Sequence, residues 1–200
     1  MTTTFDAFLT HDWGTDELGR DNHKRVSQVC SSLKAAGYQP WFDEERMRGD
    51  VNKAMADAIK SSACVIVFLT ERYITKASGD GPSGPDDNCK FEFDTALHAR
   101  HLGVGKIISV VMEPRCRAPG SWPDGTVKGK LAPKLYIDLA DDGTAFNANV
   151  QRLIQEVKTV TGKAPASTPR IAVPHPQPAG DAAGLKQLLA NLNLNALLPT

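Results

Sequence analysis

The segment Cys89-Lys90-Phe91-Glu92 places a thiol and a carboxylate three residues apart, so both share one face if the segment is helical. Near a helix start the positive end of the backbone dipole favours the charged form of either group. Cys89 then invites a reading as nucleophile, but no histidine lies nearby in sequence to act as its base. Glu92 reads in two ways. One is an ordinary surface glutamate near a favourable dipole; the other is a sheltered carboxylate able to stabilise positive charge on a ligand. A second group of chemistry-bearing residues is Thr10-His11-Asp12-Trp13. His11 and Asp12 serve either a sugar or phosphate ligand or the turn's own hydrogen bonds. Trp13 is either a stacking platform for a flat ring or a pin for its loop. Phe42 closes a strand and is the likelier ligand neighbour of the pair Trp41–Phe42. Arg46 and Arg48, in the charged loop with Gly49, suit either a phosphate clamp or plain solvation. His98 and His101 are expected to meet the carbonyls of a helix end. The four cysteines are far apart with no C-x-x-C pair, which argues against a disulfide framework, a zinc site or any other metal centre.

These groups act together only if the chain folds so that they meet. Phe5–Leu9 reads as a short apolar strand, followed by a polar stretch over 10–22. Val26, Val29, Cys30 and Leu33 recur at helical spacing, with Asp21 or Asn22 as cap and Gly37 as stop. Tyr38–Phe42 is a second strand, and Pro40 within it points to a sheet edge. Asp50 is positioned to cap a second helix whose apolar face is Val51, Met55, Ala58 and Ile59. The continuous apolar run Ala63–Leu69 suits a parallel strand buried on both faces. Residues 70–87, rich in Gly, Pro and Asp, read as a long connection into a third helix over about 88–102. Lys106–Met112 and Lys134–Asp138 are the fourth and fifth strands, with a loop-rich stretch between them. Phe146, Val150, Leu153, Ile154 and Val157 mark a last helix.

Strands alternating with helices imply a parallel sheet covered on both faces, an α/β fold of the flavodoxin-like, five-stranded class. Ligands of such sheets bind beyond the carboxyl ends of the strands, at the switch point of strand order. That rule selects residues 10–22, residues 43–50, and the long connection with the start of the third helix. Other folds of this layout are excluded by their missing residues. The third strand ends Phe68-Leu69-Thr70-Glu71, without the aspartate a phosphate-accepting receiver needs. No GxxxxGK[ST] and no GxGxxG follows a strand. A flavin phosphate loop needs Ser, Thr and Gly where the chain has Thr10-His-Asp-Trp-Gly14. The formal net charge is zero, which argues against electrostatic capture of nucleic acid. No apolar run approaches a membrane span, and the N-terminus does not read as a signal peptide, so a cytoplasmic location is expected. After Gly162 the composition turns Pro/Ala-rich. The expected organisation is a domain over 1–162, a linker over 163–184, and a leucine-rich helical tail over 185–200 resembling the opening of a SAM-like oligomerisation module.

Four boxes, in order, resemble the Toll/interleukin-1 receptor (TIR) domain over about residues 4–161. Phe5-Asp-Ala-Phe-Leu-Thr-His-Asp12 resembles the family's opening strand and its exit. Gly37-Tyr-Gln-Pro-Trp-Phe-Asp43 resembles the second strand entering the BB loop, and Met47-Arg-Gly-Asp50 the end of that loop. Cys89-x-x-Glu92 is similar to the motif opening the third helix in the NAD-cleaving members. The resemblance implies Glu92 as catalytic carboxylate, Cys89 as a packing residue of the substrate site, and NAD+ as substrate with no further cofactor. It places Thr10, His11, Asp12, Trp13, Phe42, Arg46 and Gly49 around the substrate. It also implies signalling in immunity or cell death, and self-association in which the BB loop of one copy completes the site of another. Asn88 stands where many catalytic members carry Trp, and Asp12 and Trp13 where basic residues are common. The alternative within the same family is a non-catalytic adaptor that signals by TIR–TIR contact.

The chemistry of NAD cleavage is suited to a lone carboxylate. Nicotinamide is already cationic in NAD+ and leaves without protonation, so the acid of an ordinary glycosidase pair is dispensable. The remaining task is to stabilise positive charge on the ribose.

Overall fold

The computed structural model describes residues 4–42 and 51–164; the expected linker from 165 onward, the leucine-rich tail, and residues 43–50 with Arg46, Gly49 and the Asp50 cap lie outside them. Five strands, β1 (Ala7–Thr10), β2 (Pro40–Trp41), β3 (Val65–Leu69), β4 (Ile107–Val111) and β5 (Tyr136–Asp138), form one parallel sheet in the order β2-β1-β3-β4-β5. β2 is an edge strand, where Pro40 leaves no interior ladder bond unmade.

Alternation along β3 fixes the two faces. Val65, Val67 and Leu69 join one core cluster with Phe8 and Trp41, whose rings stack at 4.5 Å. Ile66 and Phe68 join the other with Ala7, Leu9, Ile108 and Val110. The second face is covered by α1 (Asn22–Ala35) and α6 (Gly143–Thr161), through Val26, Val29 and Leu33 and through Val150, Leu153 and Val157. The first is covered by α2 (Val51–Lys60), α3 (Glu71–Ser78), α4 (Asn88–His98) and α5 (Thr126–Leu131). Asp21 is the cap of α1, its carboxylate accepting the Lys24 amide at 2.9 Å.

Two helices occupy stretches that composition marks as loop. α3 lies inside the expected connection 70–87: Thr70 caps it through the Tyr73 amide, Tyr73, Ile74 and Ala77 face the core, and Gly79 ends it at φ 91°. α5 lies in the expected loop after β4, anchored by Val127 and Leu131 one turn apart. α4 is shorter than expected, ending at His98; Ala99 is extended, and the chain turns back at Gly103 to bury Leu102. No helix among the described residues is long and apolar enough to cross a membrane.

The switch point lies between β1 and β3, where the chain leaves in opposite directions along the sheet. The edge there is fastened by Glu113, fully buried just past β4. Its carboxylate accepts the amides of Glu71 (2.6 Å) and Glu17 (2.8 Å) and the Arg115 Nε (2.8 Å). Burial opposes its charge, but the Arg115 guanidinium and the two amides outweigh that and hold its carboxyl below the usual range. Glu113→Ala strands two backbone amides and should lower unfolding free energy by about 3 kcal/mol in urea titrations. Glu113→Gln should recover only part. A carboxylate with a lowered folded pKa contributes fully above its unfolded value of 4.5 and less in acid, so the wild-type-to-alanine difference should shrink below that pH.

Candidate functional site

The buried side of α4 is a stripe of Cys89, Glu92, Phe93 and Ala96, spaced as an amphipathic helix requires. Glu92 is therefore an ionisable residue in a position the pattern would give to an apolar one, and only 7% of it is exposed. Thr10 compensates. It is the last residue of β1 and, by the two-residue alternation, faces the same side of the sheet as Phe8, towards α3 and α4. Its hydroxyl donates to Glu92 Oε2 at 2.6 Å. The Tyr73 hydroxyl, from α3, lies 3.0 Å from the same Thr10 oxygen. Thr10 has one proton and gives it to Glu92, so Tyr73 donates to Thr10. Burial, then the neighbouring Cys89, raises the Tyr73 pKa well above the ordinary phenol, so the proton stays on it. Strand, short helix and long helix are thereby joined by a three-member chain, Tyr73 to Thr10 to Glu92.

Glu92 lines a cavity of about 370 Å³ with His11, Trp13, Met55, Lys76, Asp86, Asp87 and Cys89 among its walls. Asp87, buried, caps α4 by accepting the Cys89 amide at 2.9 Å. Lys76, one turn beyond Tyr73 on α3, reaches across: its ammonium is 2.8 Å from Asp12 Oδ1 and 3.7 Å from Asp87 Oδ2. Asp12 also accepts the Arg72 Nε at 3.0 Å and the Gly14 amide at 2.8 Å. A Cβ on Gly14 would stand 2.6 Å from both the Arg72 guanidinium and the Asp12 carboxylate, so a larger residue there would displace that contact. Burial opposes ionisation of Asp12, yet Lys76, the Gly14 amide and Arg72 hold its carboxyl below the ordinary value. On the far wall four rings stack: Trp13 on His23 at 3.9 Å, His23 on His11 at 4.9 Å, and both histidines against Phe42 at 4.9 and 5.4 Å. Trp13 is the outermost, 57% exposed, and borders the cavity. His11 Nε2 and His23 Nδ1 are 2.7 Å apart. Burial, and then His23, pushes His11 down to about 3, so it is neutral at physiological pH.

The sequence matches the TIR domain family over residues 8–154, which is most of the chain. The chain belongs to the TIR domain family. Two solved structures are similar to this TIR domain. The RPS4 and RRS1 TIR domain heterodimer aligns at 9% identity, covering 78% of this chain and 98% of that one, with a TM-score of 0.45. The TIR domains of the activated Roq1 resistosome recognising the effector XopQ align at 16% identity, covering 94% and 99%, with a TM-score of 0.43. No curated protein matches.

Of the residues singled out by sequence, the TIR fold gathers Glu92, Cys89, His11 and Trp13 around one cavity. Thr10 and Asp12 stand behind its wall, both buried, with Thr10 gripping Glu92 and Asp12 gripping Lys76. Phe42 is buried at the inner end of the ring stack. Cys89 is no nucleophile: burial, then the adjacent Glu92, drives its thiol pKa far up, and its sulfur faces the His11 carbonyl. Asn88 is exposed at the rim, and Trp13 supplies the aromatic wall. Among the described residues no cluster of His, Cys, Asp or Glu is arranged to hold a metal. Sequence reasoning missed Tyr73, Lys76 and Arg72, all on α3; the available signal was the Thr70 cap, the apolar spacing at 73, 74 and 77, and the Gly79 stop.

The stacked histidines give a stability signature. A histidine whose folded pKa lies below its unfolded 6.5 leaves the unfolded chain holding the extra proton between those values. Stability should thus fall as pH drops below 6.5, by about 1.4 kcal/mol per unit at most. Carboxylates with lowered values act only below about pH 5. Urea midpoints from pH 7.5 to 5 should show this slope, and His11→Phe should flatten it; an unchanged slope would assign it elsewhere. For the carboxylate chain, Tyr73→Phe removes one donor from Thr10 and leaves a buried hydroxyl less satisfied. Its cost should be about 1 kcal/mol of folding free energy, and Thr10→Val, which removes the hydroxyl that Glu92 accepts from, should cost more.

Proposed function

We propose that this TIR domain is an NAD+ nucleosidase that cleaves the nicotinamide–ribose bond, with Glu92 as its catalytic carboxylate. The observation that carries the reading is a buried glutamate, held by a hydroxyl chain, that nonetheless lines a cavity beyond the strand tips. Asp86, Asp87 and Glu92 give that cavity an acidic wall suited to a ligand whose leaving ring carries positive charge. Trp13, backed by His23 at 3.9 Å, offers that ring a face to stack on.

The reaction follows from these groups. The bond from ribose C1′ to the nicotinamide nitrogen breaks, and its electron pair neutralises the departing ring. Positive charge then spreads over the ribose, and the Glu92 carboxylate stabilises it directly or through the sugar hydroxyls. Water adds to C1′ and releases a proton, giving ADP-ribose; a cyclase outcome replaces water with the ligand's own adenine. The activity belongs to self-assembling copies in immune or cell-death signalling, the BB loop of one copy completing the site of the next. NAD+ is substrate, and no separate cofactor is needed.

Nicotinamide release from NAD+ by the full chain tests this. Glu92→Gln keeps the shape of the side chain and an acceptor for Thr10, and should lower kcat at least about 100-fold with little change in urea midpoint. Equal rates for wild type and Glu92→Gln would remove Glu92 from the chemistry. NAD+ left intact by concentrated, self-associated protein would establish the adaptor alternative.

A further inference from the structure

A second cavity, of about 390 Å³, adjoins the first over the outer face of α3. Lys76 and Ser83 line both, so they form the threshold between them. The charge of the two differs in sign. Among the described residues, the first holds Asp86, Asp87 and Glu92 against one cation, Lys76, with His11 neutral. The second is walled by Arg72 and Lys76, with the hydroxyl-bearing Thr75 and Ser83. Its one acidic residue, Glu71, is engaged by Arg115, whose Nη1 lies 2.8 Å from Glu71 Oε2. Arg72 leans on Asp12 through Nε alone, with 57% of its side chain exposed to the cavity mouth. Spacing on the helix explains the arrangement: Arg72 and Lys76 are four residues apart and share a face, while Tyr73, Ile74 and Ala77 face the core.

We propose that this second cavity is the diphosphate subsite of the dinucleotide whose cationic ring occupies the first, with Arg72 and Lys76 as the recognising cations. The inference rests on the NAD+ reading above and adds to it a specificity-determining residue, Arg72. A ligand with a positive ring at one end and a doubly anionic bridge beyond the sugar matches the polarity of the paired cavities end for end. The guanidinium, planar and forked, is shaped for phosphate oxygens, and Lys76 at the threshold supplies a point charge. Asp12 beneath them holds both cations in place, through Arg72 Nε at 3.0 Å and Lys76 Nζ at 2.8 Å.

The test uses the full chain and two readouts. Calorimetric binding of ADP-ribose to Glu92→Gln should weaken about tenfold on adding Arg72→Gln, with Arg72→Lys falling between. Raising the salt should weaken binding in the parent and much less in Arg72→Gln. In turnover, Arg72→Gln should lower kcat/KM for NAD+ about tenfold more than for nicotinamide riboside, which has no diphosphate, and the loss should reside in KM. Urea midpoints confirm that the variants fold. Binding of ADP-ribose that ignores Arg72, or NAD+ cleavage with an unchanged preference over the riboside, overturns the subsite while leaving Glu92 chemistry standing. Arg72-dependent binding of ADP-ribose by a chain that leaves NAD+ intact keeps the subsite and ends the nucleosidase reading. Absence of ADP-ribose binding ends the subsite proposal outright.

Discussion

A carboxylate taken out of water loses solvation worth several kcal/mol unless donors inside the protein replace it. Glu92 sits in the apolar stripe of α4, so the surrounding sheet has to supply such a donor at one point. Thr10 is that point: it is the last residue of β1, and strand alternation aims its hydroxyl at α4. A hydroxyl that donates its one proton must accept another to be satisfied, and Tyr73 closes the account from α3. The register of β1 against β3, Thr10 beside Val67, is thus coupled to where the carboxylate points. A one-residue slip of β1 would turn Thr10 to the other face and remove its hydroxyl from Glu92.

The same economy shapes the charges around the cavity. Asp12, buried, is held ionised by Lys76, the Gly14 amide and Arg72, and in return it tethers two cations at the mouth. Lys76 in turn lies between Asp12 and the α4 cap Asp87. Burial opposes its charge, but the bond to Asp12 more than compensates and raises its pKa. The result is a site with acidic groups inside and cations at its edge. Ring stacking does the equivalent on the other wall, where His11, too buried to titrate near neutrality, lies flat against His23, which in turn backs Trp13.

Much of the fold could be read from the chain because buried parallel strands are written as unbroken apolar runs. Val65–Leu69 and Ile107–Val111 need no tertiary knowledge to be recognised, and the α1 and α6 stripes repeat at helical spacing. Pro40 marked β2 as an edge before any pairing was known. Legibility failed at α3 because eight helical residues run directly into Gly79, Gly81, Pro82, Gly84 and Pro85, and composition over the whole stretch outvoted the short periodic part. The omission reached the site. Glu92, His11 and Trp13 could be named from their segments, but Tyr73, Arg72 and Lys76 were invisible as partners while their helix was taken for a loop. Likewise, Thr10 and Asp12 could be placed near a ligand by sequence, yet only coordinates separate a residue that lines a cavity from one that holds the residue lining it.

The short helix α3 is where fold stability and site geometry become one problem. Eight residues are too few for a helix to persist alone in water, since nucleation is costly and only a few bonds reward it. Its ends must be fixed from outside: by the Thr70 side chain and the Glu113 carboxylate at the start, and by Gly79 in a left-handed conformation at the close. Once fixed, it presents Tyr73 inward to the chain that orients Glu92, and Arg72 and Lys76 along the adjoining flank towards Asp12. Rotation of the helix by one residue would carry the phenol away from Thr10 and the cations away from Asp12 in the same motion. Glu113 never touches the cavity among the described residues, yet it holds the amide that sets this rotation. The buried latch past β4 is therefore as much a determinant of the site as the glutamate that borders it.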